Sequence, residues 1–497
     1  MGRRFLVAAA VLLVLAPAAA QAGQRLPVVV MPDLDLTGFD QLPRPAAVGL
    51  LVPDAGPETS AARARAALLR GEVENSLRGV PSGPVLIRLS RGSSEPPLIL
   101  VGLPTGGTQS NDRRYLVAVA APGFDGLLTS ESTRIPGLVS IADIAPTARG
   151  EDGALGSQPS DDAFAELREL DERIDDNGTS RKPAAAIATA FVLALAFAFP
   201  AAAVLGLAAV LAANLVLSVA GVSEPWLVLV ALGLTAALGG PVFARLLRTR
   251  AAVGIALVAV VVAYLVAMAA DESWVALSPL GPTQNARFYG LSNLLETMLL
   301  VPALAGAALI VRRFGPVVFA AAAVLSLATV ASSRLGADAG GAIVLGAAYG
   351  ALAVALAGGG RRALAAGIAG AAALAGGALV LDSRFGPETH VGRSAEGGTG
   401  GILSDLADRI VLSWERATTG WGVALVVTAA LVALVVLVSR LPRLELGRDG
   451  RALLLSFAVA VAVSLVVNDS PVEVSVGGVV GYMALERYMR RVESVSR

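Results

Sequence analysis

Apolar and polar positions divide the chain into two unequal parts. From Gln24 to Lys182, short β-branched runs alternate with Gly- and Pro-rich turns and with charged stretches, whereas from Pro183 onward long apolar segments follow one another. The first pattern predicts the strands and helices of an α/β domain, and the second predicts membrane-spanning helices. We therefore expect a membrane α-helical bundle with an N-terminal α/β domain over residues 24–182 and a polytopic region over 183–485.

The apolar segments predict ten or eleven membrane-spanning helices. They lie near 183–201, 203–221, 226–243, 251–270, 291–311, 316–332, 339–358, 363–381, 421–439, 451–467 and 472–485. The number stays open because the first two segments are joined with almost no loop at Pro200, and because the last is short and begins beside Glu473. An odd number places the tail, residues 486–497, on the membrane side opposite to the N-terminal domain.

The N-terminal domain shows six short runs that predict buried strands and one stretch that predicts a helix between them. The strand runs are "LPVVVMPDL", "AAVGLLVPD", "GPVLIRLS", "PLILVGLP", "YLVAVAAPG" and "GLVSIADIAPT". The predicted helix is "SAARARAALLRGEVENSL", residues 60–77. An acidic amphipathic helix and a polar hinge are expected over 161–183, where the chain enters the membrane region.

The first residues predict that this domain is exported. Two arginines are followed by a short apolar core and by Ala20-Gln21-Ala22, a small-x-small cleavage site. Residues 1–22 therefore resemble a secretory signal peptide, and an uncleaved anchor is the alternative. Either reading places the following segment outside the cytoplasm.

Arginine positions give an independent prediction of orientation. If residues 24–182 lie outside, the turns assigned to the cytoplasm are "ARLLRTR", "RRF", "GGGRR", "SRLPRLELGRDGR" and the tail "ERYMRRVESVSR". In the turns on the other side, which include a long outer loop over 382–420, acids match or exceed bases. The excess of arginine on one side predicts a cytoplasmic-membrane protein with an extracytoplasmic N-terminal domain and a cytoplasmic C-terminus.

Composition agrees with a membrane protein and excludes several kinds of chemistry. The chain of 497 residues is 55% hydrophobic and 16% charged, and its mean hydropathy is +0.69. Its 39 basic and 39 acidic residues balance, which argues against nucleic acid as a partner. The absence of cysteine and the single histidine, His390, exclude disulfides, thiolate metal sites and multi-histidine metal cages. No metal or cofactor is expected.

Polar residues crowd the helix ends that are predicted to lie on the outer face. The candidates for substrate binding are Arg287, Tyr289, Asn293, Arg334, Arg393, Asn468 and Asp469, and the candidates for catalysis are Glu296, Asp338 and His390. Asn293 and Glu296 are three residues apart and share a helix face. An ionisable side chain below the start of a membrane helix is expected to face protein or water and to have a cationic partner.

Two groups of motifs resemble a known family, the alkaline-phosphatase-like domains fused to polytopic membrane regions in Gram-positive and actinobacterial proteins. In the N-terminal domain they are "GLLTSESTRIPGLVSIADIAPT" and, more loosely, the start of the domain; in the membrane region they are "ARFYGLSNLLE", "GADAGG", "HVGR" and "NDS". The resemblance implies a metal-dependent hydrolase fold. The exported segment contains no histidine and is short for such a domain, so we expect a degenerate domain without hydrolytic activity.

Three classes of function fit this organisation. The first is an outer-face transferase or hydrolase acting on an anionic or lipid-linked envelope precursor, in which arginines bind phosphate bidentately and the carboxylates or His390 carry protons. The second is a non-catalytic scaffold in envelope assembly, and the third is a transporter or flippase. The sequence leaves open whether the protein is an enzyme, because the same charges also fit ion pairs that neutralise buried helix ends.

Overall fold

The structure is a computed structural model. It describes residues 26–36, 46–54, 58–71, 97–151, 154–282, 288–332, 334–336, 339–385, 411, 413–418, 420–468 and 470–495. The expected signal peptide, the expected strand at 83–90 and most of the predicted outer loop at 382–420 lie outside these residues.

The N-terminal region is built on a mixed β-sheet. The strands are β1 (Val28–Pro32), β2 (Ala47–Val52), β3 (Glu58–Thr59), β4 (Leu98–Leu103), β5 (Gln109–Ser110), β6 (Tyr115–Ala120), β7 (Gly126–Ser130), β8 (Leu138–Ser140) and β9 (Leu155–Gln158). The main sheet has the order β1-β4-β6-β2-β7-β9, with β8 also paired to β2, while β3 and β5 form a separate pair. Strands β1, β4, β2 and β7 run in one direction, and β6 and β9 run in the other.

Alternating side chains give the sheet two buried faces. In β2, Ala47 and Leu51 pack on one side with α1 (Ala61–Arg70) and α2 (Ile144–Arg149). Val48 and Leu50 point to the other side, as a strand period of two requires. Because both faces are covered, the strands are continuous apolar runs.

Several sequence predictions for this region need correction. Helix α1 ends at Arg70 and not at residue 77, because Gly71 adopts the left-handed conformation (φ 70°) that closes a helix. The predicted strand "GLVSIADIAPT" is a strand only at β8, after which Ser140 begins a helical turn that leads into α2. Strands β3, β5, β7 and β9 had no prediction of their own.

The predicted hinge before the membrane region is absent. Residues 163–198 form one continuous helix, α3 (Ala163–Ala198), which includes Pro183. Its polar positions are compatible with a helix because they are packed: Asn177 and Ser180 are buried, and the Asn177 amide donates to the Leu277 carbonyl (2.8 Å). Tertiary packing therefore overrides the local turn-forming composition.

The described residues after α3 are mainly helical, and every one of the eleven predicted apolar segments forms a helix. The helices are α4 (Pro200–Val219), α5 (Pro225–Leu234), α6 (Gly240–Leu246), α7 (Arg250–Ala270), α8 (Ser273–Ala276), α9 (Asn293–Phe314), α10 (Pro316–Ala331), α11 (Ala339–Ala357), α12 (Arg361–Phe385), α13 (Trp421–Ser439), α14 (Arg448–Val467) and α15 (Pro471–Val495). A π-helical turn, Thr235–Gly239, joins α5 to α6 just before Pro241, whose missing N–H disturbs regular helix bonding.

Among the residues that the structure describes, eight helices are long and apolar enough to cross a membrane, and α10 is apolar but shorter. They belong to a helical region with one large apolar core that includes residues from α3, α4, α7, α9, α14 and α15. These findings are compatible with a multi-pass membrane protein that has an N-terminal α/β region.

Contacts between helix ends show which turns lie next to the sheet. Arg181 of α3 pairs with Glu473 in the first turn of α15 (3.4 Å). The hydroxyl of Ser223, just after α4, donates to Asp176 of α3 (3.1 Å). The half of α3 that contacts the sheet therefore lies beside the ends of α4 and α15.

The opposite end of the bundle carries the arginine-rich turns. Arg312, at the end of α9, forms an ion pair with Asp449 at the start of α14 (Nη2 to Oδ1, 2.9 Å). Arg250, at the start of α7, donates to the carbonyl of Val492 near the end of α15 (3.2 Å). These arginine-rich turns and the turns beside the sheet thus lie at opposite ends of the helical region.

Candidate functional site

The start of α9 carries the polar residues that the sequence singled out. Ser292 caps the helix: its hydroxyl accepts from the Leu295 N–H (3.1 Å) and donates to the Leu280 carbonyl (2.9 Å). The side chain of a helix cap fixes where the first turn begins. Asn293 and Glu296 are consequently placed at the sheet-side end of the bundle, on one face of α9.

Glu296 is the central charged group of this end. Only 1% of its surface is exposed, and its Oε2 accepts from the Asn468 amide (3.2 Å), which lies just after α14. The same amide donates to the Ser464 hydroxyl (2.8 Å). A Cβ atom on Gly341 would lie 2.3 Å from Val330 Cγ1 and 3.0 Å from Glu296 Oε1, so glycine allows the first turn of α11 to pack closely against α10 and the carboxylate.

Asn293 connects α9 to the start of α15. Its side-chain amide donates to the hydroxyl of Ser470 (2.8 Å), and its main-chain carbonyl accepts from the Thr297 hydroxyl (2.7 Å). We refer to the side chains of Asn293, Glu296, Ser464, Asn468 and Ser470 as the Glu296 cluster. It joins α9, α14 and α15 by hydrogen bonds at the sheet-side end of the bundle.

A small cavity adjoins the Glu296 cluster on the side away from the sheet. Its lining is mainly apolar and consists of Val261, Glu296, Leu299, Leu300, Ala303, Ser326, Thr329, Val330 and Leu345. It has room for about one water molecule. In this conformation the cavity is too small for a headgroup or an acyl chain.

Tyr289 is placed differently from the rest of the predicted site. Its ring lies under the guanidinium of Arg134, which belongs to the loop between β7 and β8, at 4.3 Å from the ring centroid. Arg134 also forms an ion pair with Glu272 (3.0 Å). Tyr289 is therefore part of the contact between the α/β region and the helical region.

Electrostatics at this contact are those of a partly desolvated ion pair. Burial raises the pKa of Glu272 above its usual value, while the Arg134 charge opposes that rise and Asp271 adds to it. The side chains of Arg134 and Glu272 are 11% and 18% exposed. The pair is shielded from water and from salt more than a surface ion pair is.

The structure brings together three of the predicted site residues, Asn293, Glu296 and Asn468, and leaves Arg334 exposed. The other candidates, Arg287, Asp338, His390, Arg393 and Asp469, lie outside the described residues. Sequence reasoning missed Arg134, Glu272 and Ser464. Only Ser464 had a usable signal, since it precedes Asn468 by one helical turn; the contact partners of Arg134 are more than 130 residues away in sequence.

The α/β region carries carboxylates at the carboxyl ends of its parallel strands, where ligands of α/β sheets commonly bind. Two of these carboxylates form ion pairs with arginines. Asp35, after β1, pairs with Arg113 (2.8 Å), and Asp54, after β2, pairs with Arg63 (2.7 Å) and is buried. Among the residues described by the structure, no group of three or more His, Cys, Asp or Glu side chains is arranged to hold a metal ion.

Asp143, in one of the segments on which the predicted family resemblance rests, stabilises a loop. Its Oδ2 accepts from the hydroxyls of Ser130 and Ser132 (both 2.6 Å) and from the Ser140 N–H (3.1 Å). The carboxylate thereby ties the end of β7 to the start of α2. Three donors on one oxygen account for this aspartate as a structural residue.

The arrangement at the Glu296 cluster offers one carboxylate, two amides and two hydroxyls within a mostly apolar surrounding. Such groups exchange hydrogen bonds with hydroxyls or amides of a ligand, and the carboxylate can accept a proton. Comparisons with protein-family models, with curated proteins and with solved structures found no match for this chain.

Proposed function

We propose that the protein is a multi-pass protein of the cytoplasmic membrane, with ten or eleven spanning helices, that binds an anionic or lipid-linked envelope precursor at the outer end of its bundle. The α/β region is extracytoplasmic and the C-terminal tail is cytoplasmic. The arginine-rich turns at the end opposite to the sheet support this orientation, because positively charged turns remain in the cytoplasm.

The proposal rests on the burial of Glu296 where α9, α11 and α14 meet. An ionisable side chain inside a membrane bundle is costly, and such residues mark binding sites or proton pathways. The Asn468 amide donates to this carboxylate, and the Asn293 amide, one helical turn before Glu296, donates to Ser470; in the proposal both amides orient polar groups of a bound molecule. The proposed ligand therefore presents a headgroup with hydroxyl or amide functions to this cluster.

Phosphate recognition is assigned to the arginines on the same side. Arg287 and Arg334 flank the starts of α9 and α11 in sequence, and Arg393 belongs to the predicted outer loop. A guanidinium matches phosphate oxygens bidentately, which a lysine does not reproduce. In the enzymatic form of the proposal, Glu296, Asp338 or His390 carries protons in a transferase or hydrolase reaction.

A second candidate is a non-catalytic scaffold of envelope assembly. It is favoured by the α/β region, in which arginines pair with Asp35 and Asp54 at the edge where a phosphatase-like domain would act. The proposed relationship to the alkaline-phosphatase-like membrane family fits a domain of this kind that has lost its chemistry.

Analysis of copurifying lipids tests the proposal. The full-length protein is extracted in native membrane particles, and bound lipids are identified by mass spectrometry. We expect enrichment of a phosphorylated polyprenyl-type lipid, and we expect Arg287→Lys to lower it about tenfold or more, since a hydrogen bond to a charged group contributes about 1.5–3 kcal/mol.

Arg312→Lys is the matched control, because Arg312 lies at the other end of α9 in an exposed ion pair with Asp449. It should retain the lipid at the level of the unmodified protein. A lipid profile identical to that of the bulk membrane in all three proteins would refute precursor binding. An enriched protein partner that is insensitive to Arg287→Lys would favour the scaffold.

A further inference from the structure

The loop between β7 and β8, residues 131–137, is held in one conformation by its own hydrogen bonds. The Arg134 N–H donates to the Ser130 carbonyl (2.8 Å), and the Thr133 hydroxyl donates to the Leu138 carbonyl (2.5 Å). Arg134 itself has φ 57°, a left-handed conformation that L residues with a side chain seldom adopt. Strain of this kind persists where the surrounding structure fixes it, often at functional positions.

Arg134 touches both ends of the connection between α7 and α9. Its guanidinium pairs with Glu272, two residues after α7, and stacks on Tyr289, four residues before α9. The charge and ring contacts of one arginine therefore fix Glu272 and Tyr289, which lie near the two ends of this connection.

An apolar contact surrounds this arginine. Ile135 and Leu138 from the loop and strand β8, together with Leu167 of α3, belong to the same buried cluster as Leu277 and Phe288. Phe288 is 1% exposed. The sheet face, the first half of α3 and the connection to α9 thus share one core.

The segment under this contact leads directly into the Glu296 cluster. Leu291 donates its N–H to the Gly336 carbonyl (3.4 Å), and Ser292 caps α9. Glu296 follows one turn later and is buried, and the cavity that it lines extends between α7, α9, α10 and α11. Open space next to the carboxylate therefore lies on the apolar side of the bundle.

We propose that Arg134 is a latch that holds the α/β region against the connection leading into α9, so that the buried carboxylate of Glu296 is closed to the aqueous phase and its ligand approaches from the membrane. Arg134 is a positioning residue in this proposal, since it acts through its contacts with Glu272 and Tyr289. The lipid nature of the ligand rests on the proposed function. The latch does not, and its test uses no ligand.

Cysteine accessibility tests the latch directly, because the chain has no cysteine of its own. The reporter is Ser464→Cys, at a buried serine that bonds Asn468 within the cluster. The control is Ser456→Cys, at a buried serine of the same helix that donates to the Ala348 carbonyl (2.7 Å), two turns toward the arginine-rich end. Both are placed in the full-length protein in lipid nanodiscs and treated with a charged or a neutral lipid-soluble thiol reagent.

With Arg134 present, we expect the neutral reagent to modify Ser464→Cys at least about tenfold faster than the charged one. Arg134→Ala should raise the rate of the charged reagent about tenfold, equivalent to about 1.4 kcal/mol, and leave Ser456→Cys unchanged. Glu272→Gln and Tyr289→Leu each remove one contact of Arg134, and they replace Arg134→Ala as test variants if that variant does not fold. Tyr289→Phe keeps the ring and should behave as the unmodified protein.

Two results would overturn the latch. Equal rates of the charged reagent at Ser464→Cys with and without Arg134 would show that the α/β region does not close the cluster. A parallel rise at Ser456→Cys would show general loosening of the bundle in place of a local opening.

Discussion

Two polar clusters lie at the same end of the helical region, and they differ in kind. In the first, which we call the Asn214 cluster, the Asn214 amide donates to Tyr264 and Ser278 (both 3.0 Å) and accepts from the Leu280 N–H (2.9 Å). The Tyr264 hydroxyl donates to the Leu211 carbonyl (3.0 Å). The Glu296 cluster instead contains an ionisable carboxylate beside a cavity.

Burial of polar groups does not by itself mark function. Every polar atom of the Asn214 side chain is used within the protein, and all its partners are neutral. Such a network specifies one packing arrangement of α4, α7 and the connection after α8. A carboxylate adds a charge whose burial has a cost that a neutral amide avoids, and a binding role gives a reason for its presence.

The largest expected effect is that of Asn214→Leu. Leucine has a similar volume but removes the hydrogen bonds of Asn214 to the Leu280 N–H and to the hydroxyls of Tyr264 and Ser278, while Tyr264 keeps its bond to the Leu211 carbonyl. We expect the free energy of unfolding to fall by about 2–4 kcal/mol, from about three lost hydrogen bonds in a membrane bundle. Thermal unfolding in detergent measures it. Ser278→Ala, which removes one bond, should cost about 0.5–1.5 kcal/mol.

Glu296→Gln tests whether the Glu296 cluster has a functional role that the Asn214 cluster lacks. Glutamine keeps the shape and the oxygen that accepts from Asn468, so we expect the free energy of unfolding to change by less than about 1 kcal/mol. Function should nevertheless be lost, as measured by complementation of a deletion strain and by the copurifying lipid. If Glu296→Gln destabilised the protein as much as Asn214→Leu while the properly folded fraction kept its function, the Glu296 cluster would be structural as well.

Much of the fold follows from local patterns. The eleven apolar segments are helices, and "AAVGLLVPD" and "YLVAVAAPG" contain β2 and β6, because continuous apolar runs of the appropriate length specify these elements. Strand β7 was missed since "GLLTS" is short and ends in polar residues. The continuity of α3 was missed because its stability comes from Asn177 and Leu277, which are 100 residues apart.

The site was less predictable for the same physical reason. Helical spacing placed Asn293 beside Glu296, and the predicted topology placed Asn468 at the same end. The position of Tyr289 depends on Arg134 in the α/β region, a contact across more than 150 residues for which no local pattern exists. Motif resemblance drew attention to the segment of Asp143, and the structure assigns that segment to the loop that presents Arg134.

The smallest expected effect is on the pH dependence of stability and concerns Glu272. Glu272 is ionisable, as Glu296 is, and it has a defined partner, as Asn214 has. Because burial raises its pKa in the folded protein, the folded state binds a proton at Glu272 more tightly than the unfolded chain does. The associated stability is fully present below the unfolded-state pKa and is lost as pH rises through the folded-state pKa.

Lowering the pH from about 8 to about 5, across the range above the usual carboxyl pKa, should therefore stabilise the unmodified protein relative to Glu272→Gln. Melting temperatures of both proteins across this range measure the difference. Arg134→Gln should enlarge it, since the Arg134 charge opposes the rise in pKa, and parallel pH profiles of the unmodified protein and Glu272→Gln would contradict the assignment.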